Sequence, residues 1–164
     1  MVKHFVVNLE TKGNITSYFD ITKDVKEYIK ESGINDGIVL VQTAHTTCSV
    51  FFEEFTHDKD VAGLDYLQVD LNNGLNKIFP KQTTDSIEYR YPGPEHIKFG
   101  LNIDPDVVLI NADAHLKATL IGSSCTFSLI KGVINTGEYG YIYFVDWDSS
   151  RPRKRKCTIT IIGE

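Results

Sequence analysis

The first third of the chain alternates between the hydrophobic period of a strand and that of a helix. The opening segment KHFVVNL places Phe5, Val7 and Leu9 on one face, and this period of two predicts a strand. In ITKDVKEYIKESG the apolar residues recur at helical spacing, with Thr22 as the predicted N-cap and Gly33 as the predicted stop. The apolar runs GIVLVQT and CSVFFEE then predict two buried strands, separated by the polar segment AHTT.

The middle of the chain contains two predicted helices with an irregular segment between them. Leucines at helical spacing in DVAGLDYLQVDLNNGLNKIF predict a long amphipathic helix that Pro80 ends. From Lys81 to Pro105 the turn formers, with YPGPEH at their centre, predict a loop with one or two short strands. The segment NADAHLKATLIGSS, from Asn111 to Ser124, predicts a short helix capped by Asn111 or Asp113. For Asp113 the alternative to capping is a role in bracing an imidazole, and the cap is favoured.

The rest of the chain reads as β-structure. Strands are predicted over CTFSLI, VIN, YGYIYFVDW and KCTITIIG, with a turn at Lys131 and Gly132. No crossover helices separate these strands, which excludes a doubly wound parallel sheet. No repeat or linker divides the chain, so we expect a single α+β domain over residues 1–164. Its sheet is expected to be mixed or antiparallel and sandwich-like, with about three helices.

Composition restricts the class of protein and its compartment. A chain of 164 residues with 41% hydrophobic and 24% charged residues is typical of one globular domain. No apolar run approaches the roughly 18 residues of a membrane helix, and the opening segment is too short for a secretory signal. The three cysteines are widely spread and form no CxxC pair, which favours buried reduced thiols in a cytoplasmic protein. A disulfide between two of them is the alternative.

The basic segment RPRKRK is a local feature of an otherwise acidic chain. It contains five of the 17 Lys and Arg residues, which leaves twelve basic residues against 22 acidic ones elsewhere. Such an acidic remainder argues against a nucleic-acid binder. Guanidinium groups at Arg151, Arg153 and Arg155 can instead clamp a phosphate group. The alternative is a basic sheet edge that prevents pairing between molecules.

Three of the five histidines stand where predicted elements begin or end. His45 follows a buried strand, His96 lies in the irregular segment, and His115 lies in the first turn of a predicted helix. If they converge, three imidazoles with an open fourth position suit a catalytic zinc-type ion. The alternative is that each is a partly exposed residue with its own hydrogen-bond partner. Glu54 closes the strand after His45 and is a candidate general base or orienting group, or else a solvated strand end.

Four segments together resemble the successive motifs of the YjbQ-like family. They are QTAHTTCSVFFEE, NADAHLKATLIGSS, TGEYGYIYFVDWD and RPRKRKCTITIIGE, in the same order and over nearly the whole chain. The H-T-[ST] and A-H-[LI]-K-[AS] elements are the most specific. The resemblance implies a compact α+β fold that assembles as a homotrimer and carries a histidine-lined metal site, commonly with zinc.

The resemblance also assigns residues. His45 and His115 match the histidines of the two specific motifs, Glu54 matches the glutamate nine residues after the first of them, and His96 matches a loop histidine. Arg151, Arg153 and Arg155 lie where the family has an arginine-rich strand entrance. The chain departs from the family at Gly137–Tyr141, where GEYGY replaces G-T-W-Q-G.

The resulting functional expectation is a metal-dependent enzyme acting on a phosphorylated small molecule. The family is often described as secondary thiamine-phosphate synthase, so that activity is implied here. The alternative is a non-enzymatic protein that binds a metal or a phosphorylated metabolite. The expected divalent metal, zinc, is held by His45, His96 and His115. Glu54 and His45 are the expected catalytic residues, and neither nucleic acid nor membrane is an expected partner.

Overall fold

Two antiparallel sheets and four helices make up the fold in a computed structural model that describes residues 1–107 and 109–164. The larger sheet has the order β1-β8-β3-β5-β6 and the smaller one the order β2-β7-β4. The strands are β1 (Val2–Glu10), β2 (Ser17–Asp20), β3 (Gly37–Gln42), β4 (Cys48–Glu54), β5 (Ser124–Ile130), β6 (Val133–Ile134), β7 (Gly140–Asp146) and β8 (Lys154–Gly163). The helices are α1 (Thr22–Ser32), α2 (Tyr66–Ile78), α3 (Pro94–Ile103) and α4 (Ala112–Ile121). The predicted α+β class is confirmed.

The main core lies between the two sheets. Val39 and Val41 of β3 meet Ile142 and Phe144 of β7 there, and all four side chains are fully buried. The alternation that marked the strands in the sequence is therefore what directs their apolar side chains into one layer. Helix α1 adds residues at helical spacing, of which Val25 is fully buried, and closes one end of this layer.

A second, smaller core lies on the outer face of the smaller sheet. Ala114 and Ala118 of α4 pack there against Val145 and Trp147. Their small side chains let the helix approach the sheet closely, and the Ser49 hydroxyl accepts a hydrogen bond of 2.9 Å from the Trp147 indole. This packing fixes the start of α4 beside the end of β7, where the candidate site is found.

The structure corrects two predictions of local structure. The irregular segment from Lys81 to Pro105 contains helix α3, because Pro94 occupies its first turn, where the missing N–H of proline costs nothing. Strand β2 was not predicted because it has only four residues, too few to show a period. Among the described residues, no helix is both long enough and apolar enough to cross a membrane.

Helix caps differ from the predicted ones. Thr22 lies inside α1, and its amide is bound by the Asp20 carboxylate at 2.9 Å, whereas the predicted stop at Gly33 is confirmed by its positive φ of 69°. At α4 neither Asn111 nor Asp113 caps the helix through its side chain. The Gln82 side chain does so from a distant loop.

Gly140 shows how the chain accommodates its departure from the family motif. A Cβ atom at this position would overlap the ring of Phe52 on the neighbouring strand. We therefore expect Gly140→Ala to destabilise the protein by about 1–3 kcal/mol through overpacking. Gly74 is the matched control, since nothing lies within 4 Å of its added Cβ in α2, and Gly74→Ala is expected to stabilise by about 1 kcal/mol. Urea unfolding of both variants measures this, and equal effects would contradict the structural reason.

Candidate active site

One cleft of about 590 Å³ collects most of the residues that the sequence singled out. It lies between the turn after β3, the segment before α4, the start of α4 and the connection from β7 to β8. We call it the His–Arg cleft after five of the residues that line it: His45, His96, His115, Arg153 and Arg155. Val107 and Leu109, in the segment between α3 and α4, form its apolar wall.

His45 is held as a neutral hydrogen-bond donor. Its Nε2 atom accepts a hydrogen bond of 3.0 Å from the backbone N–H of Lys156, so the ring proton lies on Nδ1. Its own backbone N–H donates to the Thr43 hydroxyl at 3.2 Å, which fixes the turn. Burial, together with the positive charge of Arg155, lowers the pKa of His45. The ring can therefore donate from Nδ1 at neutral pH.

His115 has the complementary character. Burial lowers the pKa of His115, although the Thr46 backbone and Asp148 oppose the shift. A neutral imidazole carries a lone pair on one of its two ring nitrogens. A neutral imidazole with a free lone pair is a proton acceptor.

Tyr91 lies close to two of the three histidines of the cleft. Its ring centroid lies 4.9 Å from that of His96 and 5.5 Å from that of His115. Its hydroxyl lies 3.1 Å from His96 Nε2. Gln82 links this residue to α4, because its amide donates to the Tyr91 carbonyl at 2.5 Å while its Oε1 accepts from the Ala112 N–H at 2.6 Å. Sequence reasoning missed both Tyr91 and Gln82.

Arg155 is positioned by a buried carboxylate. Its Nε donates to Asp146 at 2.7 Å, and one terminal nitrogen donates to the Thr47 hydroxyl at 3.1 Å. The Asp146 side chain is completely buried, whereas that of Arg155 is 9% exposed. The pair directs part of the guanidinium toward the cleft and keeps it from turning toward solvent.

Arg153 is positioned in the same way, by the buried carboxylate of Asp148, which follows Asp146 by two residues. Its terminal nitrogen donates to Asp148 at 2.9 Å, and the Asn111 amide donates to the same carboxylate at 3.1 Å. Burial alone would raise the pKa of Asp148, but hydrogen bonds from Ser150 and Asn111 and the Arg153 charge bring it below its usual value. In the sequence VDWD two acids stand two residues apart at the end of a strand. This spacing could have indicated the carboxylate partners of the two arginines.

Two predicted site residues lie elsewhere. Glu54 is exposed at the far end of β4, opposite Gly140, about 20 Å along the strand from the turn that holds His45. Arg151 does not line the cleft and pairs with Asp104, at the end of α3, at 3.2 Å. The strand that separates Glu54 from His45 is too long for the proposed partnership within one chain.

The predicted metal site would use the three histidines of the cleft. Three imidazoles are suitable zinc ligands in kind. However, the described residues contain no group of three or more His, Cys, Asp or Glu side chains arranged to hold a metal. His45 also uses its only lone pair on the Lys156 N–H, so it cannot donate that pair to an ion as placed. The arrangement does not fit a three-histidine metal site.

The low pKa values of the imidazoles predict acid sensitivity. The pKa values of His45 and His115 lie below the ordinary value of 6.5, so on acidification the unfolded chain takes up protons before the folded one. Their contribution to stability is complete above about pH 6.5 and is lost as the pH falls below it. We expect the melting temperature to drop between about pH 7.5 and pH 5.5, and to drop less in His115→Gln. Equal slopes in calorimetric scans would contradict this assignment.

Comparison with known sequences points to one family. The family model described as UPF0047 protein YjbQ-like matches residues 6–164. A UPF0047 protein of Archaeoglobus fulgidus is 30% identical over 135 residues, which is 82% of this chain and 84% of the relative. The UPF0047 protein YugU of Bacillus subtilis is 26% identical over 144 residues, which is 88% of each chain.

Solved structures agree with the sequence comparison. A YjbQ/UPF0047 protein of Clostridium acetobutylicum matches with a TM-score of 0.71 and 30% identity, covering 96% of this chain and 99% of that one. A YbjQ-like protein of unknown function from Sulfolobus solfataricus matches with a TM-score of 0.70 and 25% identity over 100% of both chains. Sequence and fold together lead to one assignment. The chain belongs to the YjbQ-like UPF0047 family.

Proposed function

We propose that this protein is an enzyme that acts on a phosphorylated small molecule bound in the His–Arg cleft. One observation carries the proposal: two guanidinium groups, each fixed by a buried carboxylate, line the same cleft as the neutral imidazole of His115. Neither carboxylate uses all five donors of its guanidinium, so the remaining N–H groups of Arg153 and Arg155 are free to bind phosphate oxygens.

The proposed roles follow from the proton positions. Arg153 and Arg155 bind the phosphate and stabilise negative charge that develops on it during reaction. His115 accepts a proton from an attacking hydroxyl or amine through its free ring nitrogen, as a general base. His45 donates a hydrogen bond from Nδ1 and orients the substrate. Tyr91, Val107 and Leu109 form the apolar wall against which the rest of the substrate packs.

The family resemblance supports a more specific proposal, thiamine-phosphate synthase activity. That reaction joins a pyrimidine diphosphate to a thiazole phosphate and expels pyrophosphate. The two guanidinium groups would stabilise the charge of the departing pyrophosphate. The thiazole nitrogen that attacks in this reaction carries no proton, so here His115 would orient the substrate and would not act as a base. Turnover assays with thiamine precursors test this directly, whereas binding of these compounds without turnover would favour the non-enzymatic alternative.

The resemblance adds a homotrimer to the proposal, and it adds zinc only for a conformation of the cleft other than the one described above. A zinc-dependent form requires His45 to exchange its bond to Lys156 for the metal, so metal analysis of His45→Ala and His115→Ala against wild type decides it. Exposed apolar side chains on α3 and α4, such as Phe99 at 61% and Leu120 at 57%, support assembly of several copies. A monomer in sedimentation equilibrium would refute the trimer.

Anion binding is tested by two arginines that are two residues apart. Arg153→Met is expected to weaken pyrophosphate binding by about 10–100-fold, as measured by calorimetry. The reason is that it removes charge-assisted hydrogen bonds worth about 1.5–3 kcal/mol. Arg151→Met is the matched control, because Arg151 belongs to the same basic segment but pairs with Asp104 outside the cleft. Equal losses in the two variants would mean that the segment acts only through its overall charge.

A further inference from the structure

A second cavity adjoins the His–Arg cleft on the other side of the turn after β3. It has a volume of about 250 Å³ and lies between that turn and the end of α4. His45 and Thr46 line both cavities. These two residues therefore form a shared wall with one cavity on each side.

The shared wall is held in place by two hydrogen bonds. The Lys156 N–H donates to the His45 ring at 3.0 Å, and the His45 backbone N–H donates to the Thr43 hydroxyl at 3.2 Å. The turn is thereby tied to β8 and to the residue that follows β3, which keeps it between the two cavities.

The chemistry of the second cavity differs from that of the first. Hydroxyl groups from Thr46, Thr119 and Ser123 line it, and no Lys, Arg, Asp or Glu side chain is among its described lining residues. The Thr119 hydroxyl donates to the His115 carbonyl at 2.9 Å and so presents its lone pairs as acceptors. An ion bound there would find no counter-charge among these side chains, whereas a neutral polar group would find hydrogen-bond partners. Cys48 is only 1% exposed, and burial raises the pKa of its thiol, so the thiol adds no negative charge.

We propose that this cavity is a second binding compartment for an uncharged, hydrogen-bonding reactant or substrate group. The inference rests on the proposed function, in which the larger cleft holds the phosphorylated group. The volume of the cavity equals that of about eight waters, which suits a neutral group of roughly eight non-hydrogen atoms. His45 then stands between the two bound groups, an arrangement suited to transfer between a phosphorylated molecule and a neutral acceptor.

The test uses nuclear magnetic resonance with two neutral probes, acetamide and ethylene glycol, and with inorganic pyrophosphate. At least one neutral probe is expected to shift the amide resonances of Thr119, Gly122 and Ser123 in a saturable way. Pyrophosphate is expected to shift Arg153 and Arg155 and to leave Ser123 unchanged. His45 is expected to respond to both kinds of probe, since it lines both cavities.

A filling variant separates the compartments. Thr119→Phe is expected to abolish the response to the neutral probes and to leave pyrophosphate affinity within about twofold of wild type. Leu120→Phe is the control, because Leu120 is exposed on the same helix and lines neither cavity. Ser123→Phe fills the cavity from its other side and serves if Thr119→Phe does not fold.

The outcomes distinguish this inference from the function on which it rests. Absence of a saturable response to both neutral probes, or a response that survives both filling variants, overturns the compartment. A filling variant that folds and also abolishes pyrophosphate binding overturns it too, because the cavities would then not be separate. A neutral-probe response without any pyrophosphate binding supports the compartment and refutes the anion site.

Discussion

Replacing His115 with glutamine is expected to lower kcat by about 10²–10⁴-fold on the substrate that the wild-type enzyme turns over. Glutamine is polar and of similar size, but it has no basic nitrogen to accept a proton. Substrate affinity should change little, because the phosphate contacts belong to Arg153 and Arg155. Steady-state kinetics therefore separate the two effects as a fall in kcat with a nearly constant KM.

His57→Gln is the control for this experiment. His57 is exposed and packs edge-on against Phe55, with ring centroids 5.3 Å apart, and it does not line the His–Arg cleft. We expect its kcat to equal that of wild type. An unchanged kcat in His115→Gln would remove the proton acceptor from the mechanism, and a proportional rise in KM would make His115 a binding residue only.

Replacing Arg155 with methionine is expected to cost about 3–5 kcal/mol of folding stability, because it breaks a buried ion pair. The variant leaves the carboxylate of Asp146, which is completely buried, without its compensating charge. Adding Asp146→Asn to the same chain removes that uncompensated charge. The double variant should therefore recover part of the loss, a non-additivity that a double-mutant cycle measures.

Lys154→Met provides a control on the neighbouring position of the same strand. Lys154 pairs with Glu10 at 4.0 Å, and their side chains are 90% and 78% exposed. A pair this exposed is worth about 0–1 kcal/mol, so its loss should be barely measurable by urea unfolding. Comparable losses at Lys154 and Arg155 would show that burial does not set the energy of the Asp146 pair.

The sequence predicted the elements that repeat a hydrophobic period and missed those that do not. Strand β3 and helix α1 have clear periods, and both were found. Helix α3 was missed because Pro92, Gly93 and Pro94 read as a turn, although Pro94 in a first helical turn favours a helix. Helix α4 was found, but its cap was not, because Gln82 reaches it from a loop 30 residues away.

Site residues were predictable where local context carried them. His45 and His115 stand at element ends, and Arg153 and Arg155 lie two residues apart where β8 begins, so each could be singled out. Their carboxylate partners depend on which strands pair, which a single sequence does not show. Glu54 failed to join the cleft for a similar reason, since a seven-residue strand carries it to the opposite end of the sheet.

The most direct test of the central claim is a crystal structure of the protein with inorganic pyrophosphate. We predict that the anion occupies the His–Arg cleft, with its oxygens bound by the guanidinium groups of Arg153 and Arg155. We also predict that Arg151 remains paired with Asp104. An empty cleft at saturating pyrophosphate, or an anion bound only at another surface, would contradict the assignment of this cleft as the site for a phosphorylated substrate.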